Sequence, residues 1–140
     1  MLDAALALRP SLGAMSEESS GLEGLRVLLL DDETLVAMLL EDMLGDLGCE
    51  VAHTCSRVSQ AVEAIAADAR PLDFAILDVN VAGETSAPVA EALAGRGVPF
   101  LFATGYGASG VPEGWRDRPT LQKPFSSTEV ETRVREAVGR

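Results

Sequence analysis

Five side chains in this sequence have types and spacing that together could do chemistry: Asp31, Asp32, Asp78, Thr104 and Lys123. Each stands at or just past the end of a short apolar run. Val27-Leu28-Leu29-Leu30 stops at Asp31-Asp32-Glu33, and Phe74-Ala75-Ile76-Leu77 stops at Asp78. The run from Val98 to Ala103 closes at Thr104, and Thr120-Leu121-Gln122 leads into Lys123-Pro124. Short apolar runs of this kind read as strands buried on both faces. The carboxyl ends of such strands are where parallel α/β sheets keep their ligand sites. Taken singly, none of the five compels a site. Asp31-Asp32 serves equally well to cap a helix, Asp78 to cap a turn, Thr104 as a strand-end residue and Lys123 as a solvated one.

Together they specify more. Three carboxylates within a few ångströms repel strongly, since two unit charges 4 Å apart cost ~4 kcal/mol at an effective dielectric near 20. Lys123 offsets part of that, and a divalent cation offsets more. Oxygen ligands with open water positions suit Mg²⁺. A pocket holding Mg²⁺, an ammonium and a hydroxyl is built for phosphoryl oxygens, and an in-line carboxylate there can accept a phosphoryl group covalently. Asp78 is then the nucleophile and Asp32 a direct metal ligand. Asp31 reaches the metal directly or through water, and the backbone carbonyl of Asn80 supplies a further ligand.

The elements needed to bring these residues together are legible in the pattern. After the first strand, Leu35, Val36, Leu39, Leu40, Met43, Leu44 and Leu47 recur at helical spacing until Gly48. A weaker second strand covers Glu50 to His53. Ser56 is expected to cap a helix with Val58, Ala61, Val62, Ile65 and Ala66 inward. Pro88 opens a third helix that Gly95 and Gly97 end. Ser126 and Glu129 form a capping box before a final helix with Val130, Val134, Ala137 and Val138 inward. Strand and helix alternate, which predicts an α/β fold: a doubly wound, five-stranded parallel sheet of order 2-1-3-4-5 with helices on both faces. In that order the ends of strands 1, 3, 4 and 5 line one edge, and the five side chains converge.

Composition narrows the partners. The 140 residues suit one domain, and 47% are hydrophobic, enough for a core. A formal net charge of −11 argues against nucleic acid and anionic membrane surfaces as direct partners. No apolar run reaches the ~18 residues that span a bilayer. Cys49 and Cys55 read as reduced thiols, and the expected location is the cytoplasm. Residues 1–24 are expected to be a flexible extension, because Gly13 to Gly21 has linker composition, and residues 25–140 the domain. Within the extension, Leu2, Leu6 and Leu8 allow a partner-binding helix. Gly105-Tyr106-Gly107-Ala108-Ser109-Gly110 spells a dinucleotide fingerprint but lacks a following helix.

Across about residues 25 to 139 the chain resembles the receiver domain of bacterial two-component response regulators. The resemblance lies in Asp31-Asp32, Asp78 after its apolar run, Thr104, and Lys123-Pro124-Phe125. Phe102-Ala103-Thr104-Gly105-Tyr106 further resembles a single-domain subset associated with sensor histidine kinases of the HWE type. The resemblance implies phosphoryl transfer from a kinase histidine, or from a histidine phosphotransfer protein, to Asp78, with Mg²⁺ required. It implies that Lys123 pairs with the phosphoryl group, that Thr104 turns its hydroxyl toward it as a switch, and that Lys123-Pro124 is cis, aiming the lysine inward. The expected role is signalling, not enzymatic turnover of a metabolite: no output domain follows Arg140, so the output is contact with a downstream protein or phosphoryl shuttling.

The chain also departs from the family. Thr120 stands where receivers carry an aromatic, so Tyr106 is expected to serve as the moving aromatic. Val81-Ala82 replaces the usual Met-Pro. Ala108 to Arg118 is too broken by Pro112 and Gly114 for a full fourth helix, and Trp115 there reads as local packing before partner anchor. A phosphatase of the haloacid dehalogenase kind would need a carboxylate at position 80, which is Asn80. A receiver-like module that only binds partners would have lost an acidic residue or the lysine.

Overall fold

The computed structural model describes residues 21–105 and 110–140. Its elements are β1 (Arg26–Leu30), α1 (Thr34–Asp46), β2 (Glu50–Cys55), α2 (Val58–Ala67), β3 (Phe74–Asp78), a hairpin of β4 (Asn80–Val81) and β5 (Glu84–Thr85), α3 (Ala87–Gly95), β6 (Phe100–Thr104), β7 (Thr120–Gln122) and α4 (Ser127–Val138). The main sheet runs β2-β1-β3-β6-β7 with every pairing parallel. That is the expected 2-1-3-4-5 order once the two-residue hairpin strands are left out of the count.

Strand side chains alternate between faces, and here both faces are apolar. Leu28, Leu30, Ala75, Leu77, Phe100 and Phe102 point to one side, against Ala61 and Ile65 of α2 and Val89 and Leu93 of α3. Val27, Leu29, Phe74, Ile76, Leu101 and Ala103 point to the other, against Leu40 and Leu44 of α1 and Val130 and Val134 of α4. Two cores therefore clamp the central strands, and the register that places Asp78 beside Ala103 is fixed by burial on both faces. Leu22 is already fully buried in the second core.

Several local expectations change. α1 does not bury its whole leucine series. Ala37, Leu40 and Leu44 face the core, while Leu35 and Leu39 stand exposed. A helix on a sheet has only one inward stripe, and seven apolar positions overfill it. Ser56 does not cap α2. Arg57 is the N-cap without a side-chain bond, and the Ser56 N–H donates instead to Gln60 Oε1. Ala66 of α2 is exposed. β2 runs two residues beyond His53, because Leu29 and Leu30 pair with Thr54 and Cys55. In α4 the capping box is complete, with Ser126 Oγ accepting from the Glu129 N–H and Glu129 Oε1 accepting from the Ser126 N–H.

Among the described residues between β6 and β7, Glu113–Trp115 forms a 3₁₀ turn. Trp115 packs edge-on to Phe100 at 5.4 Å, and the Arg118 guanidinium lies 4.3 Å from the Phe100 ring centroid. Local packing is thus what Trp115 does. Tyr106 lies outside the described residues.

At the amino end of the sheet, Arg26 crosses from β1 to the α2–β3 loop. Its Nη2 is 3.0 Å from Asp68 Oδ2, its Nη1 donates to the Arg70 carbonyl, and His53 Nε2 is 2.7 Å from the same Asp68 oxygen. The Arg70 N–H, then His53, then Arg26 hold the Asp68 carboxyl below the usual range. A carboxyl with a lowered folded pKa stabilises above its unfolded value and ceases to do so as pH falls. Asp68→Asn should therefore lower the melting temperature at pH 7, by a margin that shrinks as pH drops below 3.8. Thermal melts across pH check this. Ser126→Ala should cost about 1 kcal/mol in denaturant unfolding.

Candidate functional site

The carboxyl ends of β1, β3, β6 and β7 meet in a cleft of about 450 Å³ lined by Asp32, Glu33, Asp78, Val79, Asn80, Thr104, Gly105 and Lys123. Asp31 lies beneath it, 4% exposed. One carboxylate oxygen from each of Asp31, Asp32 and Asp78 can be chosen so that all lie within 4.8 Å of one another. Lys123 reaches into this group from the segment after β7. Its Nζ is 3.2 Å from Asp31 Oδ2, 3.5 Å from Asp78 Oδ2 and 3.6 Å from Glu33 Oε1. The Lys123-Pro124 peptide is cis, and the Lys123 N–H donates to the Thr104 carbonyl at 2.8 Å, which ties the two strand tips together.

Each sequence-derived site residue that is described has a definite place. Asp31 accepts from the Glu33 N–H at 2.8 Å and so shapes the turn into α1 without capping the helix, whose N-cap is Glu33. Asp32 is exposed and accepts from the Ala82 N–H at 2.8 Å, a bond across the cleft to the hairpin loop. Asp78 is half-buried. Thr104 is buried and stands one residue beyond Ala103, the cross-strand neighbour of Asp78. Asn80 lines the cleft and pairs with Thr85 in the hairpin.

Two contributors escaped the sequence reading. Glu33 adds a fourth carboxylate near the lysine; its place beside the acidic pair was the only hint. Ala82 acts through its backbone N–H, with φ +52, so its side chain gave no signal. Ser86 holds the same loop, its hydroxyl donating to the Val79 carbonyl at 3.1 Å.

The electrostatics follow from this crowding. Burial, then the Asp31 and Asp32 charges, push the Asp78 carboxyl up to about 6, against the pull of Lys123 and the Val79 N–H. Burial raises Asp31 as well, outweighing the Glu33 N–H and Lys123. Burial opposes the Lys123 charge, but Asp31, Asp78 and Glu33 together hold its proton above the ordinary lysine range. One ammonium thus serves several carboxylates and leaves net negative charge facing solvent.

Comparison with known proteins meets this geometry. The chain superposes on the solution structure of SdrG from Sphingomonas melonis Fr1 with a TM-score of 0.74 and 42% identity, over 84% of this chain and 98% of that one. It superposes on the receiver domain of the response regulator PhyR from Erythrobacter litoralis with a TM-score of 0.72 and 30% identity, over 85% and 93%. The chain belongs to the response-regulator receiver family. Another solution structure of SdrG, in its BeF3-activated conformation, matches this receiver at 41% identity and a TM-score of 0.70, over 81% and 95%. The curated transcriptional regulatory protein PdtaR of Mycobacterium tuberculosis is 29% identical over 119 residues, 82% of this receiver. The receiver spans 57% of the length of PdtaR. No family model matches the sequence. No helix among the described residues is long and apolar enough to cross a membrane.

The raised Asp78 pKa has a sign that can be tested on the metal-free protein. Asp78 binds its proton more tightly folded than unfolded. The stability it contributes is therefore full below 3.8 and lost as pH rises through about 6. Asp78→Asn removes one of the mutually repelling charges, so in EDTA at pH 7 it should melt roughly 5 °C higher than the parent. The gap should close toward pH 4. An unchanged or lower melting temperature at pH 7 would contradict the repulsion.

Proposed function

We propose that this receiver accepts a phosphoryl group on Asp78 from a sensor histidine kinase, of the HWE type to which its Phe-Ala-Thr-Gly-Tyr segment points, or from a histidine phosphotransfer protein. The observation that carries the reading is the position of Lys123 Nζ, within 3.5 Å of both Asp31 and Asp78 at the mouth of an acidic cleft. A carboxylate oxygen of Asp78 attacks the phosphorus of the donor. The oxygen–phosphorus bond forms as the nitrogen–phosphorus bond breaks, and the leaving imidazole keeps the electron pair. Lys123 moves from carboxylate to phosphoryl oxygens, and the buried Thr104 hydroxyl turns toward them as the switch, with Tyr106 as the aromatic that follows.

The donor set fits Mg²⁺, since three clustered carboxylates with one face open to water match a hard cation that keeps part of its hydration. Asp32, Asp78 and the Asn80 carbonyl would hold it, with Asp31 direct or through water. When bound, it supplies neutralising charge for the incoming phosphoryl group.

The role is signalling in the cytoplasm through contact with a downstream protein or phosphoryl shuttling, not turnover of a metabolite. The match across 98% of the solved SdrG chain supports the receiver role. The BeF3-activated conformation of SdrG supports activation by a phosphoryl group here, because BeF3 is a phosphoryl mimic.

Incubation with acetyl phosphate and Mg²⁺, read by intact mass, tests the reading. A stable gain of one phosphoryl group is expected, absent in Asp78→Asn and in EDTA. Lys123→Ala should slow labelling about 100-fold. Continuous acetyl phosphate hydrolysis without an adduct would indicate a phosphatase, and an inert protein a partner-binding module.

A further inference from the structure

The exposed large apolar side chains among the described residues are gathered on one strip of α1. Leu35 is 79% exposed, Met38 54% and Leu39 44%. Their i, i+3, i+4 spacing puts them on one face of the first turns. The strip continues into a groove of about 280 Å³ where Val36 and Leu39 face Pro124 and Phe125, with Glu33 and Lys123 at its rim. Apolar side chains grouped in this way mark a surface that another element covers.

The same chain holds a candidate cover. Residues 2–12 carry Leu2, Leu6, Leu8 and Leu12 among alanines, with Asp3 and Arg9 as their only charges. Residues 13–20 then form a spacer of glycine, serine and glutamate character. The described chain begins at Gly21, whose carbonyl accepts from Arg140, and the Gly24 N–H donates to the Gly48 carbonyl just past the end of α1. The spacer therefore joins the domain at the carboxyl end of the helix whose amino end bears the strip. α1 has 13 residues, a length of ~20 Å. Eight spacer residues reach up to ~27 Å, so the apolar segment arrives at the strip with chain to spare. A tether of that length keeps the segment at roughly millimolar effective concentration. Charge agrees with the direction. In sequence Arg9 follows Leu2, Leu6 and Leu8 on the spacer side, and Asp42 and Asp46 are exposed on the carboxyl half of α1, so the charges are complementary in that orientation.

We propose that residues 2–12 of this chain fold back onto the exposed apolar strip of α1 and the groove beside Phe125. The contact stands independently of the phosphoacceptor reading.

Methyl NMR of the full 140-residue chain tests the contact. In Leu2→Asp/Leu6→Asp/Leu8→Asp, the methyl signals of Leu35, Met38 and Leu39 should shift by more than a line width at every protein concentration, while those of Leu44 and Val134 stay in place. The reciprocal Leu35→Asp should shift the methyl signals of Leu6 and Leu8. Coincident Leu35, Met38 and Leu39 signals in parent and triple variant would overturn the proposal, leaving the strip to a partner in trans. So would a difference seen only at high concentration, which would assign the strip to a second copy.

Discussion

The acidic cleft depends on one ammonium group. Asp31, Asp32 and Asp78 bring their oxygens together at the carboxyl edge of the sheet, where mutual repulsion costs several kcal/mol at protein-like dielectric. Lys123 offsets part of it from a half-buried position against Asp31, Asp78 and Glu33. The remainder surfaces as a raised Asp78 pKa, so the cleft in its metal-free form is an electrostatic cost set into a well-packed frame. Positive charge is what relieves a site of this kind, and the three clustered carboxylates leave room for more of it than Lys123 supplies.

The frame tolerates that cost because the central strands are held from both sides. β3 places Phe74 and Ile76 in one core and Ala75 and Leu77 in the other. A slip of one residue would exchange every one of these side chains between faces while turning Asp78 away from the cleft. Packing and site geometry are thus the same constraint. The loop past Asp78 is fixed by polar means instead, through Asp32 to the Ala82 N–H and Ser86 to the Val79 carbonyl. Deleting the Asp32 carboxylate would remove the brace of this loop.

Departures from the family pattern cluster on the surface next to the cleft. The 3₁₀ turn at Glu113–Trp115 is anchored by Trp115 and Arg118 around Phe100. α1 carries more leucine than its buried stripe can use. Part of the excess, Leu39, lies beside Phe125 and Lys123 on the surface that adjoins the site.

What local pattern governs, the sequence alone determined. Among the described residues, the five strands of the main sheet, the four α-helices, the capping box at Ser126 and the convergence of Asp31, Asp32, Asp78, Thr104 and Lys123 on one edge follow from period-two and period-3.6 signals plus the topology of parallel sheets. Tertiary structure decided the pairings. Lys123 lies nearer to Asp31, 92 residues away, than to Asp78, and Asp32 bonds to a backbone N–H 50 residues away. It also decided which leucines of α1 face water and that Arg57, not Ser56, begins α2. The physical reason is range. Apolar periodicity is written along a few turns of chain, whereas the partner of a charge depends on where distant backbone segments come to rest once the two cores have closed.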